Sequence, residues 1–190
     1  MSLIFATEPL TQCWNEIVEL GSAHWHETME YYRDKQPFNP SFERYDSYAK
    51  AGWLVAFTVR DQGKMVGYGL MYVVPSMHTQ SLIAVEDTMF ILPEYRQGRN
   101  GLRLYEYVEQ EMARRGVVEV IVTAKPGSAA CRILEHLGCE LINHQYSKHL
   151  AKPVDLVYRY TPVRADSLNT PINAVTKEVP HVCTITTPRS

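Results

Sequence analysis

The sequence predicts an α+β fold of three layers, in which a mixed, mostly antiparallel central sheet is flanked by helices and followed by a C-terminal extension. Two observations predict it. Apolar stripes with helical spacing stand before and after a run of strand-like segments, and turn sequences separate those segments. The expected order is α-α-β-β-β-α-β-α-β-β. A chain of 190 residues has room for one domain, placed at residues 1–160, and a tail at residues 161–190.

Two helices are predicted before the first strand. Apolar residues within 9–20 recur at the spacing of one helical face, and Gly21 follows as the expected end of this helix. The pair Asn39-Pro40 predicts the start of a second helix, since a capping residue precedes a proline in the first turn. Gly52 is its expected end.

Three strands are predicted next. Residues 53–59 and 65–74 are rich in β-branched and aromatic side chains and flank the turn Asp61-Gln62-Gly63-Lys64, which is typical of an antiparallel hairpin. The third strand, residues 81–92, is apolar except for Glu86 and Asp87 near its middle. Adjacent residues of a strand face opposite sides of the sheet, so at most one of these carboxylates should face a given cleft unless a bulge reorients them.

Two more helices and a final hairpin complete the prediction. Residues 101–115 have helical spacing and end at Gly116, residues 117–124 form a β-branched strand, and residues 128–137 form a short helix closed by Gly138. Residues 139–150 are predicted to form a hairpin. The last thirty residues carry four prolines and many threonines without a helical or strand period, which predicts a tail.

Composition excludes several classes of protein. Hydrophobic residues make up 45% and charged residues 21%, which excludes a wholly disordered chain. A net charge of -2 disfavours a globally basic nucleic-acid binder and leaves a local basic patch open. No apolar run reaches the roughly 18–20 residues that span a bilayer, and the first ten residues lack the order of a secretion signal, so we expect a cytoplasmic protein without a membrane partner. Four scattered cysteines predict reduced thiols and no metal site.

The most informative motif is a strand, the turn Pro93-Glu94-Tyr95-Arg96, a glycine-containing loop and the start of a helix. Free backbone N–H groups and the positive end of the helix dipole meet at such a junction, which suits a diphosphate. The residues expected to form this anion site are Arg96, Gln97, Gly98, Arg99, Asn100, Gly101 and Leu102.

These residues resemble the acetyl-CoA motif of the Gcn5-related N-acetyltransferase (GNAT) superfamily, whose loop reads Arg/Gln-x-x-Gly-x-Gly/Ala. The resemblance extends over about residues 1–150, because Ser128 to Cys139 looks like the last helix of that family and the step after it. Arg99 stands where the loop glycine of the family is expected, whereas Gly101 is in register. The sequence Pro37-Phe38-Asn39-Pro40 before the Trp53 strand is similar to acetyltransferase-like proteins encoded by bacteriophages.

The resemblance implies where acetyl-CoA binds. The backbone of Met89, Phe90 and Ile91 would run beside the pantetheine arm, and the loop from Arg96 to Leu102 would hold the pyrophosphate. A strand N–H would bond the acyl carbonyl and stabilise the developing oxyanion.

The catalytic groups are also implied by the resemblance. Asp87 matches the position of a catalytic carboxylate in polyamine-type members and ranks first as general base, and Glu86 ranks second. Many relatives carry a tyrosine that protonates the departing thiolate at the position of Leu134 here, so Tyr146 or His136 would substitute. A thiol of pKa about 8.5 is already a good leaving group, and the general acid is useful rather than required.

Two functions remain open at this point. The preferred one is an acetyl-CoA-dependent N-acetyltransferase, without a metal, in which a primary amine attacks the thioester directly in a ternary complex. The amine can belong to a small molecule, a protein or a modified nucleobase. The alternative is a weakly active or inactive module of the same fold that binds a virion or host protein, or a second copy of itself, through residues 161–190. A phage-encoded protein would act in the host cytoplasm or in the virion.

Overall fold

The computed structural model describes residues 3–28 and 37–148. The chain divides into two compact units, residues 1–143 and residues 144–190. All described helices and strands belong to the first unit, and residues 144–148 of the second unit are described without regular structure. The predicted tail at 161–190 and the predicted domain end at residue 160 lie outside the described residues.

The central layer is a five-stranded mixed sheet of order β1-β2-β3-β4-β5, which confirms the predicted sheet. The strands are β1 (Ile4–Thr7), β2 (Leu54–Asp61), β3 (Lys64–Pro75), β4 (Leu82–Ile91) and β5 (Glu119–Ile121). The first four pair antiparallel, and β5 pairs parallel to β4. The sequence analysis missed β1, because four residues at an edge are too short to show a period.

Within residues 3–28 and 37–148, four α-helices flank the sheet: α1 (Leu10–Thr28), α2 (Phe42–Lys50), α3 (Asn100–Arg114) and α4 (Ala129–His136). A 3-10 turn, Pro93–Tyr95, lies between β4 and α3. None of the helices in the described part of the chain is both long and apolar enough to cross a membrane.

Two predicted helix ends are wrong for identifiable reasons. Gly21 lies inside α1 and does not end it. A glycine is needed there because the Phe38 side chain packs against the helix, and a Cβ at this position would lie 2.8 Å from Cζ of Phe38. Helix α2 begins after Ser41 rather than after Asn39, since the Ser41 hydroxyl accepts a hydrogen bond from the Arg44 N–H. A side chain that reaches a free amide of the first turn decides the start of a helix.

The predicted hairpin at residues 139–150 is also wrong for the ten residues that are described. Residues 139–148 form no strand. The apolar residues Leu141 and Ile142 of this segment are 80% and 63% exposed. Local β propensity without a partner that covers the apolar side chains did not produce a strand here.

Two apolar clusters hold the three layers together. On one face of the sheet, Leu104, Val108 and Met112 of α3 pack against buried residues of β2 and β3, among them Phe57 and Met71. On the other face, α1 packs against the sheet through the buried residues Cys13, Ile17 and Leu20. The buried residues of the sheet in this second cluster include Leu54, Ala56, Tyr68, Leu70 and Phe90. The central sheet is therefore covered on both faces.

An ion cluster ties the start of α1 to the first hairpin. Arg60 of β2 donates Nε to Glu8 at 2.7 Å and Nη2 to Glu16 at 2.8 Å, and its side chain is only 18% exposed. Hydrogen bonds from Arg60 are the main cause that lowers the pKa of both Glu8 and Glu16 below the usual 4.5. The cluster therefore stabilises the fold while both carboxyls are ionised.

We expect Arg60→Met to lower the free energy of unfolding by about 1–3 kcal/mol at pH 7, because two partly buried carboxylates lose their counter-charge. The folded pKa values of Glu8 and Glu16 are depressed, so this stabilisation exists above their unfolded pKa and is lost as the pH falls through the folded values. Urea denaturation should show a difference in the free energy of unfolding between the wild type and Arg60→Met at pH 7, and this difference should be smaller at pH 3. Arg114→Met, at an exposed pair with Glu111, is the matched control and should cost about 0.5 kcal/mol or less. If Arg60→Met lowered the free energy of unfolding equally at both pH values, the stabilising role of the ionised Glu8 and Glu16 would be contradicted.

Candidate functional site

A β-bulge at Asp87 organises the site. Leu70 of β3 pairs with Thr88 and Met71 pairs with Glu86, so Asp87 is an extra residue without a partner in the ladder. The bulge interrupts the alternation of side chains along β4. Asp87 and Thr88 consequently both face α1, whereas in a regular strand they would face opposite sides.

The two carboxylates considered as bases lie in different surroundings. Asp87 lines a cavity on the α1 face. Glu86 points to the other face, where it accepts a hydrogen bond from the Thr123 N–H at 2.8 Å. Burial raises the pKa of Glu86 to about 7. Burial and then the charge of Glu86 raise the pKa of Tyr105 on α3.

The Asp87 carboxylate is half-buried and lies beside two tyrosines. Tyr45 of α2 donates its hydroxyl to Oδ2 of Asp87 at 2.8 Å. The Tyr72 hydroxyl acts on the same carboxylate and lowers its pKa. Burial raises the pKa of Asp87 above its ordinary value, and the two tyrosine hydrogen bonds oppose that rise. The phenols position the carboxylate while burial makes it a stronger proton acceptor than an exposed aspartate.

Thr88 connects the bulge to a buried histidine. Nδ1 of His24 lies 3.1 Å from Oγ1 of Thr88 and 3.2 Å from the hydroxyl of Tyr68. The His24 ring stacks on Phe90 at a centroid distance of 4.6 Å. Burial lowers the pKa of His24 to about 4, so its imidazole is neutral at pH 7. This cluster presents hydrogen-bonding groups beside Asp87 without adding a charge.

The aromatic cavity lies between α1, α2 and β4 and has a volume of about 190 Å³. Its polar end is formed by Asp87, Thr88 and His24, and the other walls are mainly aromatic and aliphatic. The residues that line it are Trp14, Ile17, Val18, Gly21, His24, Trp25, Phe38, Pro40, Tyr45, Tyr68, Leu70, Asp87 and Thr88.

One edge of β4 is open beyond residue 85. Strand β5 pairs with β4 only from Ile83 to Val85. In the described part of the chain, residues 86–91 of β4 have no strand on that side. We call residues 86–91 the open edge; they include Met89, Phe90 and Ile91, whose side chains pack into the two cores. Backbone groups along such an edge are available to an extended ligand.

The loop after the open edge leads into the first turn of α3. Gly98 has a φ of +66°, a conformation that favours glycine, and Arg99 is the residue before the helix. The first helical hydrogen bond runs from the Arg103 N–H to the Arg99 carbonyl. The amides of Asn100, Gly101 and Leu102 therefore lie in the first turn, where no carbonyl of α3 accepts from them. This is the arrangement that binds phosphate groups.

The two loop arginines behave differently. Nε of Arg96 donates to the Ile91 carbonyl at 2.7 Å, and its guanidinium forms a bidentate ion pair with Glu27 of α1 and lies 5.1 Å from the Phe90 ring centre. The Arg99 side chain is 71% exposed and lies 3.8 Å from Glu106. The Arg99 side chain thus extends from the helix start into solvent.

Other predicted site residues fall elsewhere. Leu134 and His136 belong to α4. Tyr146 belongs to the second unit, and its role as general acid stays a prediction. Within the described residues, no group of three or more His, Cys, Asp and Glu side chains is arranged to hold a metal ion.

Sequence reasoning missed the partners of Asp87. Tyr45 lies 42 residues before Asp87 in the chain, and no local pattern of the sequence connects the two. Thr88 carried one local signal, since it follows the predicted base directly, but only the bulge brings it to the same face. His24, 63 residues before Asp87, also lines the aromatic cavity.

Solved acetyltransferases share this architecture. An aminoglycoside acetyltransferase from an uncultured soil metagenomic sample, in complex with sisomicin, is 15% identical, with a TM-score of 0.59 and coverage of 80% of this chain and 97% of that one. Glucosamine-6-phosphate N-acetyltransferase from Arabidopsis thaliana is 12% identical, with a TM-score of 0.61 and coverage of 80% and 100%. AAC(6')-Iy, in complex with the bisubstrate analogue CoA-S-monomethyl-acetylneamine, is 15% identical, with a TM-score of 0.57 and coverage of 80% and 100%. At these identities the likeness shows the fold.

Family membership rests on the sequence itself. No curated protein sequence matches the chain significantly. The sequence profile of the Acetyltransferase (GNAT) family matches residues 17–139, which is about two thirds of the chain and includes most of α1, the bulge, the open edge and the loop before α3. The chain therefore belongs to the GNAT family of acetyltransferases.

Proposed function

We propose that this protein is an N-acetyltransferase that transfers the acetyl group of acetyl-CoA to a primary amine by direct attack in a ternary complex. The observation that carries the proposal is the bulge at Asp87, which stands at the point where the aromatic cavity meets the open edge of β4. A carboxylate with a raised pKa at the junction of two binding regions is suited to accept the proton of the attacking amine.

The open edge and the start of α3 are the proposed acetyl-CoA site. Backbone groups of Met89, Phe90 and Ile91 would run beside the pantetheine arm, in the place of a further strand. The pyrophosphate would accept hydrogen bonds from the loop and first-turn amides between Arg96 and Leu102. The CoA bisubstrate analogue bound to AAC(6')-Iy, which has the same fold, supports a CoA ligand for this chain.

The proposed reaction needs a neutral amine. An amine of pKa about 10.4 is mostly protonated at pH 7, and a gap of about 3.4 units corresponds to about 4.6 kcal/mol. Asp87 accepts this proton directly or through one water. The nitrogen lone pair then forms a bond to the acetyl carbon while the C–S bond breaks, and the electron pair of the C–S bond leaves with the CoA sulfur. The second proton of the nitrogen passes to this thiolate, which leaves as CoA thiol, and Asp87 returns the first proton to solvent. A strand N–H of β4 stabilises the negative charge on the carbonyl oxygen during transfer.

The alternative proposal is a GNAT-fold module that binds a partner with little or no activity. It rested on Arg99, on Leu134 and on the tail at residues 161–190. The 71% exposure of the Arg99 side chain argues against the first of these reasons. The tail lies outside the described residues, and the phage origin, the cytoplasmic location and the virion or host partner stay predictions. Absence of acetyl-CoA binding by calorimetry at millimolar ligand would favour this module and end the enzymatic proposal.

We expect Asp87→Asn to lower kcat/KM for acetyl transfer about 10²–10⁴-fold, because the amide cannot accept the amine proton. Affinity for acetyl-CoA should stay the same, since Asp87 faces the aromatic cavity and not the loop. Release of free thiol, followed continuously with a chromogenic disulfide, measures the rate, and calorimetry measures the affinity. Asp46→Asn, which breaks only an i,i+4 pair with Lys50 on α2, is the matched control. If Glu86→Gln lost as much activity as Asp87→Asn, the choice of Asp87 would be wrong.

The loop gives a second expectation. Arg99→Ala removes a cation at the leading end of α3, and we expect acetyl-CoA to bind about two- to fivefold more weakly at low salt. The difference should disappear as salt screens the exposed charge. Arg114→Ala, at the other end of the same helix, is the control and should bind acetyl-CoA like the wild type. Tighter binding by Arg99→Ala would show that this arginine obstructs the loop.

A further inference from the structure

The charges around the aromatic cavity restrict the amine that fits it. Among its described lining residues, Asp87 is the only one ionised at neutral pH. His24 is uncharged there because burial lowers its pKa to about 4. A single carboxylate neutralises a single ammonium group, and a second buried ammonium would need another counter-charge.

Three carboxylates on the helices that wall the cavity are already engaged, and the two others, Glu19 of α1 and Glu43 of α2, are not among the described residues that line it. Glu16 and Glu27 of α1 are paired with Arg60 and Arg96. Asp46 of α2 pairs with Lys50 at 2.6 Å. A second ammonium group inside the cavity would therefore find no further carboxylate among the described lining residues.

The size and the walls of the cavity indicate the rest of the ligand. An apolar cavity of about 150 Å³ holds one benzene molecule, so 190 Å³ admits one ring with a short arm. Trp14, Trp25, Phe38 and Tyr68 contribute aromatic surface to the walls. Such walls favour stacking with a flat apolar group and tolerate an ammonium near a ring face.

Resting on the proposed function, we propose that the acceptor is a small arylalkylamine: one primary ammonium at Asp87, joined by a short linker to a single flat apolar ring between the aromatic walls. This class differs from sisomicin, the ligand in one structure of the same fold. The ring would sit toward Trp25 and Phe38, and the amine nitrogen would reach the bulge beside the open edge.

Binding of two isosteres to the full chain tests the charge requirement. Calorimetry compares 2-phenylethylamine with 2-phenylethanol, which has the same shape without the charge. The wild type and the control Asp46→Asn should bind the amine at least about tenfold more tightly than the alcohol, the usual effect of a charged hydrogen bond. In Asp87→Asn the ratio of the affinity for the amine to the affinity for the alcohol should fall to about one. Equal affinities for amine and alcohol in the wild type would overturn the proposal.

Wild-type protein alone tests the size requirement, so the outcome does not depend on whether a variant folds. We expect 2-phenylethylamine to bind more tightly than spermidine, sisomicin or a lysine-containing peptide. Tighter binding of any of those three would overturn the arylalkylamine class. Trp25→Leu should weaken binding of 2-phenylethylamine, whereas Trp53→Leu, at a tryptophan outside the cavity, should leave it unchanged.

Failure of this proposal can be told apart from failure of the proposed function. Acetyl transfer from acetyl-CoA to spermidine, without binding of 2-phenylethylamine, would overturn the acceptor class and leave the N-acetyltransferase standing. Binding of 2-phenylethylamine that depends on Asp87, without any acetyl-CoA binding, would support the ligand class and overturn the N-acetyltransferase.

Discussion

One unpaired residue in β4 determines both the chemistry of the site and the integrity of the core. Upstream of Asp87, Ala84 faces the α3 side of the sheet, and downstream of it Ile91 does so again. If the same residues paired regularly, without a bulge, Thr88 and the apolar side chains after it would all turn to the opposite face. The bulge therefore keeps Asp87 and Thr88 in the aromatic cavity while Met89 and Ile91 pack into the core beneath α3. Bulges also bend the strand that contains them, and pairing with β5 stops at Val85, two residues earlier.

Burial of Asp87 illustrates a balance between stability and reactivity. Removing a carboxylate from water destabilises its ionised form, and a fully isolated aspartate would simply bind a proton. The hydroxyls of Tyr45 and Tyr72 limit this effect, so the raised pKa reflects partial and not complete desolvation. Both phenols remain protonated donors, since burial raises the pKa of Tyr72 to about 12 and that of Tyr45 further. The aspartate is thus held in place by groups that do not compete for the proton of the amine.

The sheet and the loop before α3 could be predicted from the sequence more fully than the arrangement of the site could. Hairpin β2–β3 and helix α3 were predictable because their periods are long and their turn residues are local. The course of α1 through Gly21 depends on Phe38, and the setting of Asp87 depends on Tyr45, both distant in the chain. The choice between Asp87 and Glu86 could not be made from alternation alone, because a bulge is a property of the pairing with β3 and leaves no periodic mark on β4.

Arg96 connects the two proposed substrate regions. It begins the loop before α3, and its guanidinium forms an ion pair with Glu27 of α1. The same guanidinium lies over the Phe90 ring, on which His24 also stacks. A cation in this place balances a helix carboxylate and fixes the loop to the helix that walls the aromatic cavity. Because the Arg96 guanidinium is paired with Glu27, the positive charge for a phosphate ligand has to come from the backbone amides and from Arg99. The Arg99 side chain makes no capping hydrogen bond to α3. An arginine at the usual glycine position is then compatible with the loop, since its backbone has a negative φ and its side chain extends into solvent.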